Sequence, residues 1–190
     1  MPSHDVVLVD HHDSYTGNLA HLIASVTGAL PRIVEHDECT AADVLSHDFV
    51  VLSPGPGHPG DPHDFAVGRE VLRAGERPVL GVCLGMQGIV TAFGGRVERV
   101  DPGHGIEATV RHDGSGLFAG VPDDFRAIRY HSLAALELPE EVAVTATDAR
   151  TGLVMGVAHR TLPIAGVQFH PESILTEHGA AIVRNFLGAA

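Results

Sequence analysis

Uninterrupted apolar runs at residues 5–10 (Asp-Val-Val-Leu-Val-Asp), 49–52 (Phe-Val-Val-Leu) and 79–82 (Val-Leu-Gly-Val) have the length and character of strands buried on both faces. Arg32 to Glu35 is a fourth strand candidate. Helical spacing fills the gaps between them. Leu19, Leu22, Ile23 and Val26 recur at a 3.6-residue period and stop at Gly28, a natural C-cap. Thr40 to Asp43 reads as a short capped helix with Asp in place of the usual Glu or Gln of the capping box. Further helices are predicted from Phe65 to Ala74 and from Leu84 to Phe93, the second stopped by Gly94-Gly95. Strand and helix alternate, as in a parallel sheet with helices on both faces.

The second half changes character. Residues 96–100, 106–112, 125–132, 142–147, 154–159 and 164–168 are short and β-prone, and turn pairs such as Pro102-Gly103 and Asp113-Gly114 punctuate them. They predict mostly antiparallel strands extending or flanking the sheet, followed by one helix from Ala180 to Leu187. No repeat and no interdomain linker is visible, so the prediction is a single α/β domain over residues 1–190.

Composition narrows the function. Twelve basic residues against 24 acidic ones give a formal net charge of −12, which argues against nucleic-acid and anionic-membrane surfaces. All twelve are arginine; the absence of lysine excludes a Schiff-base lysine and a P-loop. No apolar run reaches a membrane span, and the residues before the first strand lack the basic region of a secretory signal. Cys39 and Cys83 match no zinc or redox spacing. A disulfide stays open, but a reduced, cytoplasmic protein is the expectation. The histidines His4, His11, His12, His58, His63 and His104 are scattered without paired ligand spacing, so no metal site is expected.

The strongest chemical signal is Cys83. It sits between a predicted strand and a predicted helix, with Gly81 and Gly85 two residues to either side. That is the pattern of a nucleophile elbow, with the sulfur at a helix N-terminus where N–H groups favour a thiolate. A buried core cysteine is the competing reading. The loop Ser53 to Pro62, rich in Pro and Gly, is either a surface linker or a stiff cradle whose N–H groups face an oxyanion. Asp13 and Ser14 are either helix caps or part of a ligand edge at the carboxyl end of the first strand. A base for the cysteine is sought near the C-terminus, where His170-Pro171-Glu172 follows the strand 164–168. A carboxylate two residues on fixes the imidazole's tautomer and orientation.

Four segments in this order, Ser53-Pro54-Gly55-Pro56-Gly57, Gly81-Val82-Cys83-Leu84-Gly85-Met86-Gln87, Tyr130-His131-Ser132-Leu133 and Gly166-Val167-Gln168-Phe169-His170-Pro171-Glu172-Ser173, resemble the triad (class I) glutamine amidotransferases. Within them the chain is similar to the glutaminase component of chorismate-utilising synthases, aminodeoxychorismate synthase and anthranilate synthase component II, over its whole length. The resemblance implies a flavodoxin-like core and a type 1 glutamine amidotransferase domain at 1–190. It implies Cys83 as nucleophile, His170 as proton shuttle and Glu172 as its orienter. It further implies Gly57 and Leu84 N–H groups as the oxyanion hole, in a loop that includes Gly55 and Pro56. Gln87 and the Ser132-Leu133 backbone would hold substrate L-glutamine. The implied partner is a chorismate-binding synthase that uses Mg2+, with no cofactor in this chain. The elbow Cys-Leu-Gly-x-Gln-Gly-Ile and the His12-Asp13-Ser14 opening lean towards aminodeoxychorismate synthases, with anthranilate synthase as the alternative and a free-standing γ-glutamyl hydrolase behind both. Two positions depart from the family: Met86 stands where it usually has His, and Ile106 where it usually has a basic residue. The first is expected to alter packing or partner contact, the second to bear on the partner's identity.

Overall fold

The computed structural model describes residues 4–103 and 105–188. His104 and residues 1–3 of the stretch read for a leader therefore lie outside the described residues. The chain runs β1 (Val6–Asp10), α1 (Thr16–Thr27), β2 (Arg32–Glu35), α2 (Ala41–Leu45), β3 (Phe49–Leu52), α3 (Pro62–Ala74), β4 (Val79–Val82) and α4 (Leu84–Ala92). It continues as β5 (Arg96–Arg99), β6 (Ile106–His112), a 3-10 turn at Gly116–Phe118, β7 (Phe125–Arg129), β8 (Leu133–Glu137), β9 (Val142–Asp148), β10 (Val154–His159), β11 (Ile164–Val167) and α5 (Gly179–Gly188). The main sheet has the order β2-β1-β3-β4-β11-β10-β9-β6-β7, and β5 with β8 forms a separate ribbon. Its first five strands are parallel; from β10 onward the pairing is antiparallel. No helix among the described residues is long and apolar enough to cross a membrane.

Alternation along each parallel strand sorts its side chains between two cores. Val6, Leu8, Phe49, Val51, Leu80 and Val82 pack with Leu19 and Ile23 of α1 and Ile182, Val183 and Phe186 of α5. Val7, Val9, Val50, Leu52 and Val79 pack with Val44 of α2, Phe65 and Leu72 of α3, and Met86, Ile89 and Val90 of α4. The continuous apolar runs are thus explained, because both faces of these strands are covered.

The helix ends follow the sequence closely. Gly28 caps α1 with a φ of 82°, and its N–H donates to the Ala24 carbonyl. Thr40 and Asp43 form a full capping box despite the shorter carboxylate. The start of α1 differs from the expectation: Tyr15 is the N-cap, and neither Asp13 nor Ser14 caps the helix with its side chain. Asp13 instead accepts from the Tyr15 N–H at 2.8 Å, closing the turn just before the helix. α3 starts at Pro62, three residues earlier than predicted, because Asp61 caps it and proline suits the first helical position. Its backbone is non-helical at Phe65, where the predicted helix began.

The stretch 125–132, predicted as one strand, is two elements. β7 ends at Arg129, and residues 129–132 then give their carbonyls to the preceding loop: Gly105 N–H to Arg129, Gly103 N–H to His131 and Val100 N–H to Ser132. The chain reverses into β8, an element that the β-prone pattern does not single out.

Phe65 is the plug between α3 and α4. It is 1% exposed, and a Cβ built on Gly88 would meet its ring at 2.1 Å. Gly88→Ala should therefore cost about 1–3 kcal/mol through overpacking. Adding Phe65→Leu should recover part of that loss, so the double variant is more stable than the summed single effects. Denaturant titration of the four proteins measures this; strictly additive effects would refute the contact.

Candidate active site

The turn after β4 is built by close backbone approach. Cys83 has φ 53° and ψ −101°, a conformation that L residues rarely adopt and that lifts its side chain off the sheet edge. A Cβ on Gly81 would lie 2.5 Å from the Gly85 carbonyl carbon, and one on Gly85 would lie 2.4 Å from the Leu52 carbonyl oxygen. The flanking glycines are therefore steric requirements. The Cys83 N–H donates to the Val167 carbonyl at 2.8 Å, which fixes the elbow to the end of β11.

β11 pairs with β4 in register, Val167 opposite Val82, so the residues after each strand emerge together. His170 arrives beside Cys83 this way, close enough for the cysteine to raise its pKa. Its ring nitrogen Nδ1 lies 2.6 Å from Glu172 Oε1. A carboxylate only accepts, so Nδ1 carries the proton and Nε2 is left for the sulfur. The group is deeply buried: Cys83 is 8% exposed, His170 3%, and the Glu172 side chain 0%. Burial opposes a charged His170, but the interactions with Cys83 and Glu172 outweigh it and raise its pKa to about 10. The imidazole is thus favoured in its charged form.

Other predicted residues gather here. Gln87 Nε2 donates to the Leu133 carbonyl at 2.9 Å and to Gln168 Oε1 at 3.2 Å. His131 Nδ1 donates to the same Leu133 carbonyl at 2.7 Å, while Ser132 is exposed. Gly55 is wedged against His11 and Leu84, where a Cβ would meet atoms at 2.5 and 3.0 Å. Pro56 is exposed next to it. Gly57 has φ 91°, and the loop beyond it is held by the His58 N–H donating to Asp64 Oδ2 at 2.8 Å. Leu84 opens α4, so its N–H is one of the free donors at a helix start. Met86 is fully buried in the core on the α3–α4 face, and Ile106 is 39% exposed on β6. Cys39 and Cys83 are both free thiols.

Four neighbours were not assigned roles from sequence. Gln168 Nε2 lies 3.6 Å from Cys83 Sγ, so a carboxamide of the chain itself rests on the sulfur. Tyr15 and Tyr130 stack at 5.2 Å and both present edges to His170, at 5.7 and 5.0 Å. Arg129 is 3% exposed and lies beside His131, with Nε and Nη1 lacking a hydrogen-bond partner among the described residues. Burial, chiefly, holds His131 down to about 4, the Leu133 bond acting against it and the Arg129 charge with it. The signal for Gln168, Tyr130 and Arg129 was their place in or beside the shared segments; nothing in their spacing marked them.

The chain matches the family model for glutamine amidotransferase class-I over residues 7–190. It belongs to the class-I glutamine amidotransferases. It is 48% identical over 183 residues to an aminodeoxychorismate synthase from Streptomyces griseus, covering 95% of this chain but 25% of that protein. It is 44% identical over 188 residues to anthranilate synthase component 2 from Thermococcus kodakarensis, covering 96% of each. The chain thus spans about a quarter of one relative and nearly all of the other. A solved structure from Thermoplasma acidophilum, described as a GMP synthase component, superposes with a TM-score of 0.88 at 26% identity, covering 99% of this chain and 94% of that one. The α/β fold of the class-I glutamine amidotransferases, a parallel core with added antiparallel strands, is the fold seen here.

Two measurements probe this geometry. Gly85→Ala should destabilise by about 3 kcal/mol, the upper end for overpacking, because the clash is with backbone. Gly17→Ala, with nothing within 4 Å, should stabilise α1 by about 0.5–1 kcal/mol. Equal effects in denaturant titration would refute the steric account of the elbow. For His170, the folded pKa lies above the ordinary 6.5, so its contribution to stability is complete below pH 6.5 and is lost as pH rises towards 10. Cys83→Ala removes the leading contribution that raises it. Histidine NMR should show the His170 midpoint falling, with a shallower alkaline loss of Tm. An unchanged midpoint would mean that the sulfur does not hold the ring.

Proposed function

We propose that this chain is the glutaminase component of a chorismate-utilising synthase. The observation that carries the reading is the β4–Cys83–α4 elbow with His170 and Glu172 delivered to it by the register of β11. In the proposed reaction the Cys83 thiolate attacks the side-chain carbonyl carbon of L-glutamine. The oxyanion is met by the N–H groups of Gly57 and Leu84. His170 gives its Nε2 proton to the departing nitrogen, which leaves as ammonia, and the γ-glutamyl thioester remains on Cys83. His170, now neutral, takes a proton from water, whose oxygen attacks the thioester; glutamate leaves and the thiolate–imidazolium pair is restored. Glu172 keeps Nδ1 protonated throughout. Gln87 and the Ser132-Leu133 backbone, with Gly55 and Pro56 in the loop, bind the glutamine.

The proposed acceptor of ammonia is a chorismate-binding synthase that makes aminodeoxychorismate. Support comes from the 48% identical Streptomyces relative and from the elbow and His12-Asp13-Ser14 segments. Anthranilate synthase is the second reading, favoured by the component 2 relative that this chain matches end to end. In both readings the ammonia-using site lies on the synthase partner.

Cys83→Ala should lower glutamine-dependent synthesis by about 10³-fold or more, while the same complex still works with ammonium. Cys39→Ala should keep full activity. Glutamate release should rise at least tenfold when synthase and chorismate are both added, the gain expected of one correctly placed oxyanion donor or less. Product analysis separates aminodeoxychorismate from anthranilate. Equal glutamate release with and without the partner would favour a free-standing hydrolase, and glutamine turnover by Cys83→Ala would overturn the choice of nucleophile.

A further inference from the structure

Strand register gathers a second set of reactive groups, outside the cysteine–histidine pair. β1 and β2 pair in parallel with Asp10 opposite Glu35, so His11-His12 and His36-Asp37 leave the two strands side by side. The His36 N–H donates to the Asp10 carbonyl at 2.9 Å and extends the ladder by one step. One donor atom each from His12, His36 and Asp37 lies within 4.8 Å of the other two. Glu35 Oε2 is 3.3 Å from His12 Nδ1.

His36 is the telling member. It is 8% exposed, and its ring nitrogens, which make no hydrogen bond among the described residues, reach solvent. Ring contacts hold it instead: it stacks on His11 at 5.1 Å, nearly coplanar, and meets His12 edge-on at 5.0 Å. His11 is itself fixed, stacked on Phe65 at 5.0 Å and bonded through Nδ1 to Ser53 Oγ at 3.2 Å. An imidazole held by ring contacts, with its nitrogens at the solvent edge and free of protein hydrogen bonds, can take a ligand there without breaking an internal bond. His36 is thus pre-oriented and open, next to a second imidazole and two carboxylates.

We propose that His12, His36 and Asp37 bind a divalent first-row transition ion of the zinc type, with solvent completing its coordination. Two imidazoles and a carboxylate suit such an ion, and magnesium, which prefers oxygen alone, is the wrong guest. Ligand atoms around zinc at ~2.0 Å stand about 3.3 Å apart, so the cluster must contract. The side chains of His12 and Asp37 are 46% and 55% exposed, which leaves them able to turn and the ion an open approach from solvent. Bound there, the ion clamps the turn leading into α1 to the turn leaving β2. The histidine spacing along the chain gave no sign of this set, because sheet pairing and not sequence proximity assembles it.

The test uses the full chain, stripped of metal and titrated with Zn2+ by calorimetry and with Co2+ by its visible d–d absorption. One ion per chain is expected, with a rise in Tm on binding. His12→Gln and Asp37→Asn, both at exposed positions, should leave the metal-free Tm unchanged. Each should weaken binding by at least the ~10–100-fold that loss of a ligand's mere supporting partner produces. His36→Gln should do the same. Cys83→Ala should bind the ion as the parent does. The proposal fails if the parent shows no saturable binding, or if the His12→Gln/Asp37→Asn double variant binds as tightly as the parent. It also fails if Cys83→Ala abolishes binding, which would place the ion at the cysteine–histidine pair.

Discussion

The structure depends on how closely α4 lies over the ends of β3 and β4. Gly81 and Gly85 are separated by less than a side chain's width, and Gly85 touches the Leu52 carbonyl. That contact forces Cys83 into its left-handed backbone and sets the sulfur above the sheet. It also starts α4 immediately after the cysteine, placing the helix's free N–H groups beside the sulfur. The strain at Cys83 is held because both cores overdetermine the strands on either side of it.

Register does the rest. A parallel sheet delivers to one edge whatever follows each strand's carboxyl end. β1 brings the Asp13–Tyr15 turn, β3 the Pro/Gly loop, β4 the cysteine and β11 the histidine with its glutamate. A one-residue slip of β11 would reverse the facing of its side chains and move His170 by a strand step of roughly 3.3 Å, which would break its contact with the sulfur. Long-range placement therefore rests on backbone pairing such as Val167 with Val82, and only the final ångström on side-chain bonds.

Much of this was legible in the sequence. Runs buried on both faces, 3.6-residue periods and glycine stops located β1 to α4 to within three residues, and the elbow was readable from Gly81-x-Cys83-x-Gly85. Local signals failed where pairing partners decide. Residues 125–132 are continuously β-prone, yet the loop 100–105 captures the last carbonyls and ends β7 early. Asp13 and Ser14 have capping chemistry, but Asp13 is drawn into the turn before α1 and Tyr15 takes the cap position. Gln168 on the sulfur and the paired His12 and His36 are products of register, which single-sequence periodicity does not encode.

The closed state of the site gives the proposed coupling to a partner a physical basis. The sulfur, the imidazole and the Glu172 carboxylate are almost wholly withdrawn from solvent, and the Gln168 carboxamide rests on the sulfur, where the proposed reaction would bring the substrate amide. Gln87 and Leu133, the proposed glutamine contacts, are bonded to one another. On the proposed mechanism, glutamine has to displace these internal bonds, and its own amide makes equivalent ones, so the exchange is nearly neutral in hydrogen bonds and is decided by access. Access lies with exposed segments: Pro56 and Gly57 on one side and Ser132 on the other. A surface that docked across these segments would shift the balance between closed and open arrangements without touching Cys83. On the proposed function, the chemistry would then wait on the protein that consumes the ammonia, and a buried, preassembled cysteine–histidine–glutamate group is well suited to waiting.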